Sequence, residues 1–164
     1  MTGAGPPHVV IAAVGNPLRR DDGAGPAVLE QLRGELGDAL VLGALASPLD
    51  LLGAWDGAGL AVVVDAVGGD VVPGEVRVVE VDLRDPQGAP TRTAATASSH
   101  GLGVSEALRL ALALGSVPAR VVLVGVGGDD FGEGVGLSPS VSAAVERAAQ
   151  VVTGLVAEGL AVVR

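Results

Sequence analysis

The sequence has 164 residues, 49% hydrophobic and only 1% aromatic, with a net charge of −9. That charge repels a phosphate backbone and so few rings offer bases nothing to stack on, so no nucleic-acid partner is expected. There is no Cys, Lys or Tyr, which excludes disulfides, thiolate metal sites, a cysteine nucleophile and a lysine base and leaves the chemistry to carboxylates, hydroxyls and two histidines.

The length fits one domain with a core of useful size. Charges, Pro or Gly interrupt each apolar run well short of the ~20 residues that span a bilayer, so no membrane segment is expected. Residues 1–7 have no basic stretch ahead of an apolar one; no secretory signal is expected, the location is expected to be cytoplasmic, and these residues read as a flexible tail.

In chain order, continuous β-branched runs at residues 8–14, 60–64 and 121–126 predict strands buried on both faces, as in the middle of a parallel sheet. A shorter run at 39–42 predicts a fourth strand, and 75–81, mixed polar and apolar, an edge strand. The link over 65–74 is too short for a helical crossover, so the strand at 75–81 is expected to run antiparallel to that at 60–64. A first helix carries Val28, Leu29, Leu32 and Leu36 and stops near Gly37. Ser47-Pro48 predicts a short helix running through Trp55, and Ser138-Pro139 an N-cap and first turn. Val104, Ala107, Leu108, Ala111 and Leu112 repeat at helical spacing, as do Val141, Ala144, Val145, Ala148 and Val152. The alternation predicts a three-layer α/β fold with a five-stranded, mostly parallel sheet between helices. Residues 82–99 form a long aperiodic segment ending at His100, of the kind that is functional or disordered.

Ligands of open α/β sheets bind beyond the carboxyl ends of the strands. Three side chains are delivered there: Asp22 after the first strand, Asp65 at the end of the third, and His100 ahead of a helix. Two carboxylates and an imidazole make an open site for a divalent transition metal. The plainer alternatives are a helix cap for Asp22, with Asp21 the better cap if Asp22 is a ligand, and a structural or surface histidine for His100. Ser98, Ser99 and His100 lack any nucleophile-elbow pattern, and Ser99 reads as a cap. The glycine-rich stretch 125–136 has no Lys, and Asp129, Asp130 and Glu133 would repel phosphate. Arg19 and Arg20 read as a solvated pair or as a grip on a substrate carboxylate.

Taken together, four segments resemble the hydrogenase maturation protease family: GNPLRRDDGAG at 15–25, VVVDAV at 62–67, SSHGLGVSEAL at 98–108 and GDDFGEGVGLSPSV at 128–141. The resemblance spans most of the chain. It implies a twisted five-stranded sheet between helix layers, phosphorylase/hydrolase-like and similar to purine nucleoside phosphorylases. It implies an endopeptidase that removes the C-terminal tail of a nickel-iron hydrogenase large-subunit precursor once nickel is inserted. The family's metal-binding residues fall on Asp22, Asp65 and His100, which are also the candidate catalytic residues. Asn16, Arg19, Arg20 and Gly101 are the candidate substrate-binding residues. The metal it implies is divalent, nickel supplied by the substrate, with zinc or cadmium able to substitute in a crystal. Two departures stand out: Asp22 occupies a place that is Glu in some members, and Gly125-Val126-Gly127-Gly128 replaces a Gly-Ile-Glu-Pro or Gly-Ile-Gln-Pro turn. Whether the metal would serve recognition or catalysis stays open, as does the choice of Asp22 or Asp65 as base for an attacking water. The alternatives are another metal-dependent hydrolase, a nucleoside phosphorylase-like enzyme, or a non-enzymatic nickel or hydrogenase assembly factor.

Overall fold

The computed structural model describes residues 9–45, 47–85 and 104–161. The expected tail over 1–7, most of the long segment ending at His100, and Ser98, Ser99, His100 and Gly101 themselves lie outside the described residues. Strands are β1 (Val9–Val14), β2 (Leu40–Leu45), β3 (Leu60–Val67), β4 (Val76–Glu80) and β5 (Arg120–Gly127). Helices are α1 (Ala24–Gln31), α2 (Val104–Leu114) and α3 (Pro139–Ala161), with 3-10 turns at Arg20–Gly23 and Pro48–Leu51.

The sheet has five strands in the order β2-β1-β3-β5-β4. β1 pairs in parallel with β2 and β3, and β3 with β5, while β4 runs antiparallel to β5. The edge strand thus has the direction read from its short connection, but its hydrogen-bonding partner is β5, inserted between β3 and β4. β5 is the more apolar run and takes the interior place; the connection after β3 need only step over one strand, about 10 Å.

Period-two alternation sends the two halves of each inner strand to opposite cores. Val9, Ile11, Ala13, Leu60, Val62, Val64, Val122, Val124 and Val126 pack against α1 and α3. Val10, Ala12, Val14, Ala61, Val63, Val121 and Leu123 pack against α2 and the Leu51–Trp55 region. Three layers result, each buried Val or Leu contributing about 1.5–3 kcal/mol of transfer free energy. No helix among the described residues is long and apolar enough to cross a membrane.

Two elements differ from expectation. The regular part of α1 ends at Gln31, because Gly34 adopts φ +80°, a left-handed conformation that stops a helix. Leu32 and Leu36 are nevertheless buried, supplied by the turns that follow. The Ser47-Pro48 helix is a single 3-10 turn, capped by the Leu49 N–H donating to Ser47 Oγ at 3.2 Å, and the chain reaches buried Trp55 through further turns. Between β1 and β2 the register slips: Ile11 faces Val41 but Ala13 faces Ala44, so β2 carries one extra residue, a bulge.

Candidate active site

Because β1, β3 and β5 are parallel, their C-terminal ends share one edge. β1 ends there in a tight loop. The Asn16 N–H donates to Asp22 Oδ2 at 2.9 Å, the Leu18 N–H to Asn16 Oδ1 at 2.9 Å, and the Asp22 N–H to the Arg19 carbonyl at 3.1 Å. Gly15 makes this fold-back possible: its φ is +143°, and a Cβ there would collide with the Asp22 carbonyl. Gly25, at the start of α1, serves a different need, since a Cβ would lie 2.7 Å from the Val64 carbonyl oxygen and 3.0 Å from that of Val14. α1 therefore rests directly on the backbones of β1 and β3.

Asp65 stands opposite Val14 of β1 and Gly125 of β5. Alternation along β3 turns its side chain to the α2 side, where it lines a cavity of about 120 Å³ together with Val63, Val67, Val79, Leu123 and Val104. Asp65 is 5% exposed and Asp22 is 7% exposed. Neither Asp65 oxygen has a hydrogen-bond partner among the described residues. Burial, then the neighbouring Asp22 charge, pushes the Asp65 carboxyl well above the ordinary range; the adjacent Ala66 N–H opposes this without a well-formed hydrogen bond. Asp22 is also raised, by burial, against the lowering effects of the Asn16 N–H and the Arg19 guanidinium. A buried carboxylate is costly when charged unless a donor or a cation meets it, and among the described residues Asp65 has neither.

Asp21 carries a role not visible in the sequence reading. The N-cap of α1 is Gly23, and no side chain caps that helix, so Asp21 is not its cap. Instead its Oδ2 accepts from the Asp129 and Asp130 N–H groups at 2.8 Å each and from the Ser138 hydroxyl at 2.8 Å, and its Oδ1 accepts from the Ser138 N–H at 2.7 Å. Burial would raise this carboxyl, but the Asp130, Ser138 and Asp129 N–H groups and the Ser138 hydroxyl outweigh it and hold it below the ordinary value. The acidity of the glycine-rich stretch 125–136 was legible; the missed signal is that the backbone N–H groups of its loop, and of Ser138 just beyond, need an acceptor, which Asp21 supplies. The same two loops are joined by Arg20 N–H to Gly134 O at 3.0 Å and Gly134 N–H to Leu18 O at 2.8 Å. Arg19 Nη2 donates to Phe131 O at 3.1 Å and Arg20 Nε to Glu133 O at 3.4 Å.

The structure thus brings Asp22, Asp65, Asn16 and Arg19 to one edge, with Arg20 exposed on the rim. Among the described residues no three side chains of metal-binding type cluster; His100 and Gly101 are outside them.

Two buried carboxylates at the C-terminal edge of a mostly parallel sheet, Asp65 near the end of β3 and Asp22 in the loop after β1, follow the layout of an α/β enzyme. A family model described as hydrogenase maturation protease (HycI) matches residues 27–155. The chain belongs to the hydrogenase maturation protease family and is an endopeptidase. No curated protein sequence matches it. Among solved structures, the hydrogenase maturating endopeptidase HybD from E. coli is 25% identical, with TM-score 0.76, over 92% of this chain and 93% of that one. The [NiFe] hydrogenase maturation protease HybD from Thermococcus kodakarensis is 26% identical, with TM-score 0.70, over 91% and 99%. An endopeptidase from Escherichia coli solved in solution is 25% identical, with TM-score 0.73, over 88% and 89%. The family match begins after the first motif, so it includes the positions of Asp65 and His100 but not that of Asp22.

Proposed function

We propose that this endopeptidase removes the C-terminal tail of a nickel-iron hydrogenase large-subunit precursor after nickel insertion, with Asp22, Asp65 and His100 as the groups that meet the metal. The observation that carries the reading is the Asp65 carboxylate, buried beside a second carboxylate and without a donor among the described residues. Such a pair fits a divalent cation, and an imidazole beside it favours nickel or zinc over magnesium or calcium. Val104, four residues after His100, lines the same cavity as Asp65, in keeping with a histidine delivered from the preceding segment. The nickel arrives as part of the substrate; bound there, it would align the neighbouring peptide bond and polarise it.

The chain's own residues supply the rest. Asp22 Oδ2 is held by the Asn16 N–H, while Oδ1 accepts no hydrogen bond among the described residues, which leaves it free to take a proton from the attacking water. Burial raises this carboxyl toward the range useful to a base. Asn16, Arg19 and Arg20 form the substrate-facing rim in this reading, and Gly101 is assigned to substrate binding with them.

The test is incubation with nickel-loaded precursor, nickel-free precursor and the isolated tail peptide, followed by intact-mass measurement. Rapid loss of the tail from loaded precursor alone is expected. Equal cleavage of folded nickel-free precursor would overturn the requirement for substrate nickel, and no cleavage of either would overturn the assigned substrate.

A further inference from the structure

We propose that Asp21 is the positioning residue of the cleavage site: its carboxylate latches the loop bearing Asp22 onto the glycine-rich loop at 128–138 and so fixes where Asp22 points. The proposal rests on the reading of Asp22 as a site residue. Asp21 has no exposed surface, and its two oxygens take four hydrogen bonds of 2.7 to 2.8 Å from Asp129, Asp130 and Ser138. All four donors lie more than a hundred positions further along the chain, so this carboxylate is a long-range tie. Its own N–H adds a fifth link, to the Asp130 carbonyl at 2.9 Å.

The loop needs such a tie. Arg20, immediately before Asp21, has φ +51°, a left-handed conformation that a side-chain-bearing residue adopts only when its surroundings hold it there. The bridge between Arg19 and Gly134 holds one side of that residue, and Asp21 holds the other. Asp22 follows directly, with its N–H bound inside the same turn to the Arg19 carbonyl. Freed from the latch, the turn can relax, and Asp22 moves with it. Misplacement of a reacting group by about 1 Å can cost about 100-fold in rate.

Asp21→Asn keeps the volume but sets an amide N–H₂ against at least one of the N–H donors now facing the carboxylate. Its kcat on nickel-loaded precursor should fall about 10- to 100-fold, with KM within a few fold of wild type. Ser138→Ala removes one of the four bonds and should shift kcat the same way by less. Acting through Asp22, either change should add nothing in an Asp22→Asn background, measured by single-turnover cleavage. Full activity in a folded Asp21→Asn protein, or losses that multiply with that of Asp22→Asn, would overturn the proposal. If Asp21→Asn does not fold, Ser138→Ala decides alone: a kcat loss absent in the Asp22→Asn background supports the latch, and unchanged kcat refutes it. Unimpaired cleavage by Asp22→Asn itself would instead refute the underlying site assignment.

Discussion

Asp65→Asn should make the metal-free protein more stable while removing its cleavage activity. The wild-type carboxyl is buried with no hydrogen-bond partner among the described residues, beside the Asp22 charge. Burial and the Asp22 charge hold its folded-state pKa well above the ordinary aspartate value, so the folded state binds this proton more tightly than the unfolded chain does. The carboxyl's contribution to stability is therefore greatest at low pH, and declines as pH rises from the unfolded value through the folded one. The carboxyl can always take up a proton instead, at about 1.36 kcal/mol for each pH unit between the ordinary aspartate value and pH 7, so the penalty at pH 7 cannot exceed about 4 kcal/mol. An asparagine amide carries no charge, and it meets the same lack of partners among the described residues that the protonated carboxyl meets, so that cost is common to both proteins. The gain at pH 7 should therefore be positive and no more than about 4 kcal/mol, with Tm rising by about 2–4 °C for each kcal/mol in a domain of this size. Thermal unfolding of both proteins with chelator present, at about pH 4 and about pH 7, reads this directly. The advantage of the variant should be large at the higher pH and shrink at the lower, because Asn does not titrate and the wild-type carboxyl takes up its proton. A variant less stable than wild type at both pH values, or an equal advantage at both, would refute the argument that Asp65 is held at a cost.

Asp22→Asn should lose most cleavage of nickel-loaded precursor yet keep a native circular-dichroism spectrum, since it removes charge and keeps volume; unfolding would show the residue to be structural. Gly25→Ala must push α1 off the Val64 and Val14 carbonyls, 2.7 and 3.0 Å from the new Cβ, and should cost about 1–3 kcal/mol in a denaturant titration. Trp55, the sole tryptophan, is fully buried with an indole N–H that finds no acceptor among the described residues. Its emission should be blue-shifted in the native state, and Trp55→Phe should change stability by less than about 1.5 kcal/mol, because removing the unmatched donor offsets the lost contact.

The strands and the direction of β4 were legible because apolar run length and connection length act locally. The pairing of β4 with β5 was not, since it depends on which strand wins the interior. The place of Asp65 was legible for a related reason: a charge that follows a run of valines falls near the carboxyl end of a buried strand. Asp21 and Asp22 are chemically identical neighbours, and only the distant Asp129, Asp130 and Ser138 donors tell them apart. The end of α1 at Gln31 was missed because Leu32 and Leu36 keep the helical rhythm while Gly34 breaks the backbone.

The extra residue that β2 carries against β1 bears on how the protein behaves in a crowd. β2 is an outer strand, with Leu40 and Val41 substantially exposed, the sort of border onto which another chain can add its own backbone. The bulge spoils that template: past Val41 the outward N–H and C=O groups no longer keep the regular spacing that a visiting strand requires. On the opposite border, β4 presents the ion pairs of Arg77 with Glu75 and of Glu80 with Arg120, charges that an incoming strand would have to desolvate. An enzyme whose interior is built of valines is thus guarded against stacking on itself at both ends of its sheet.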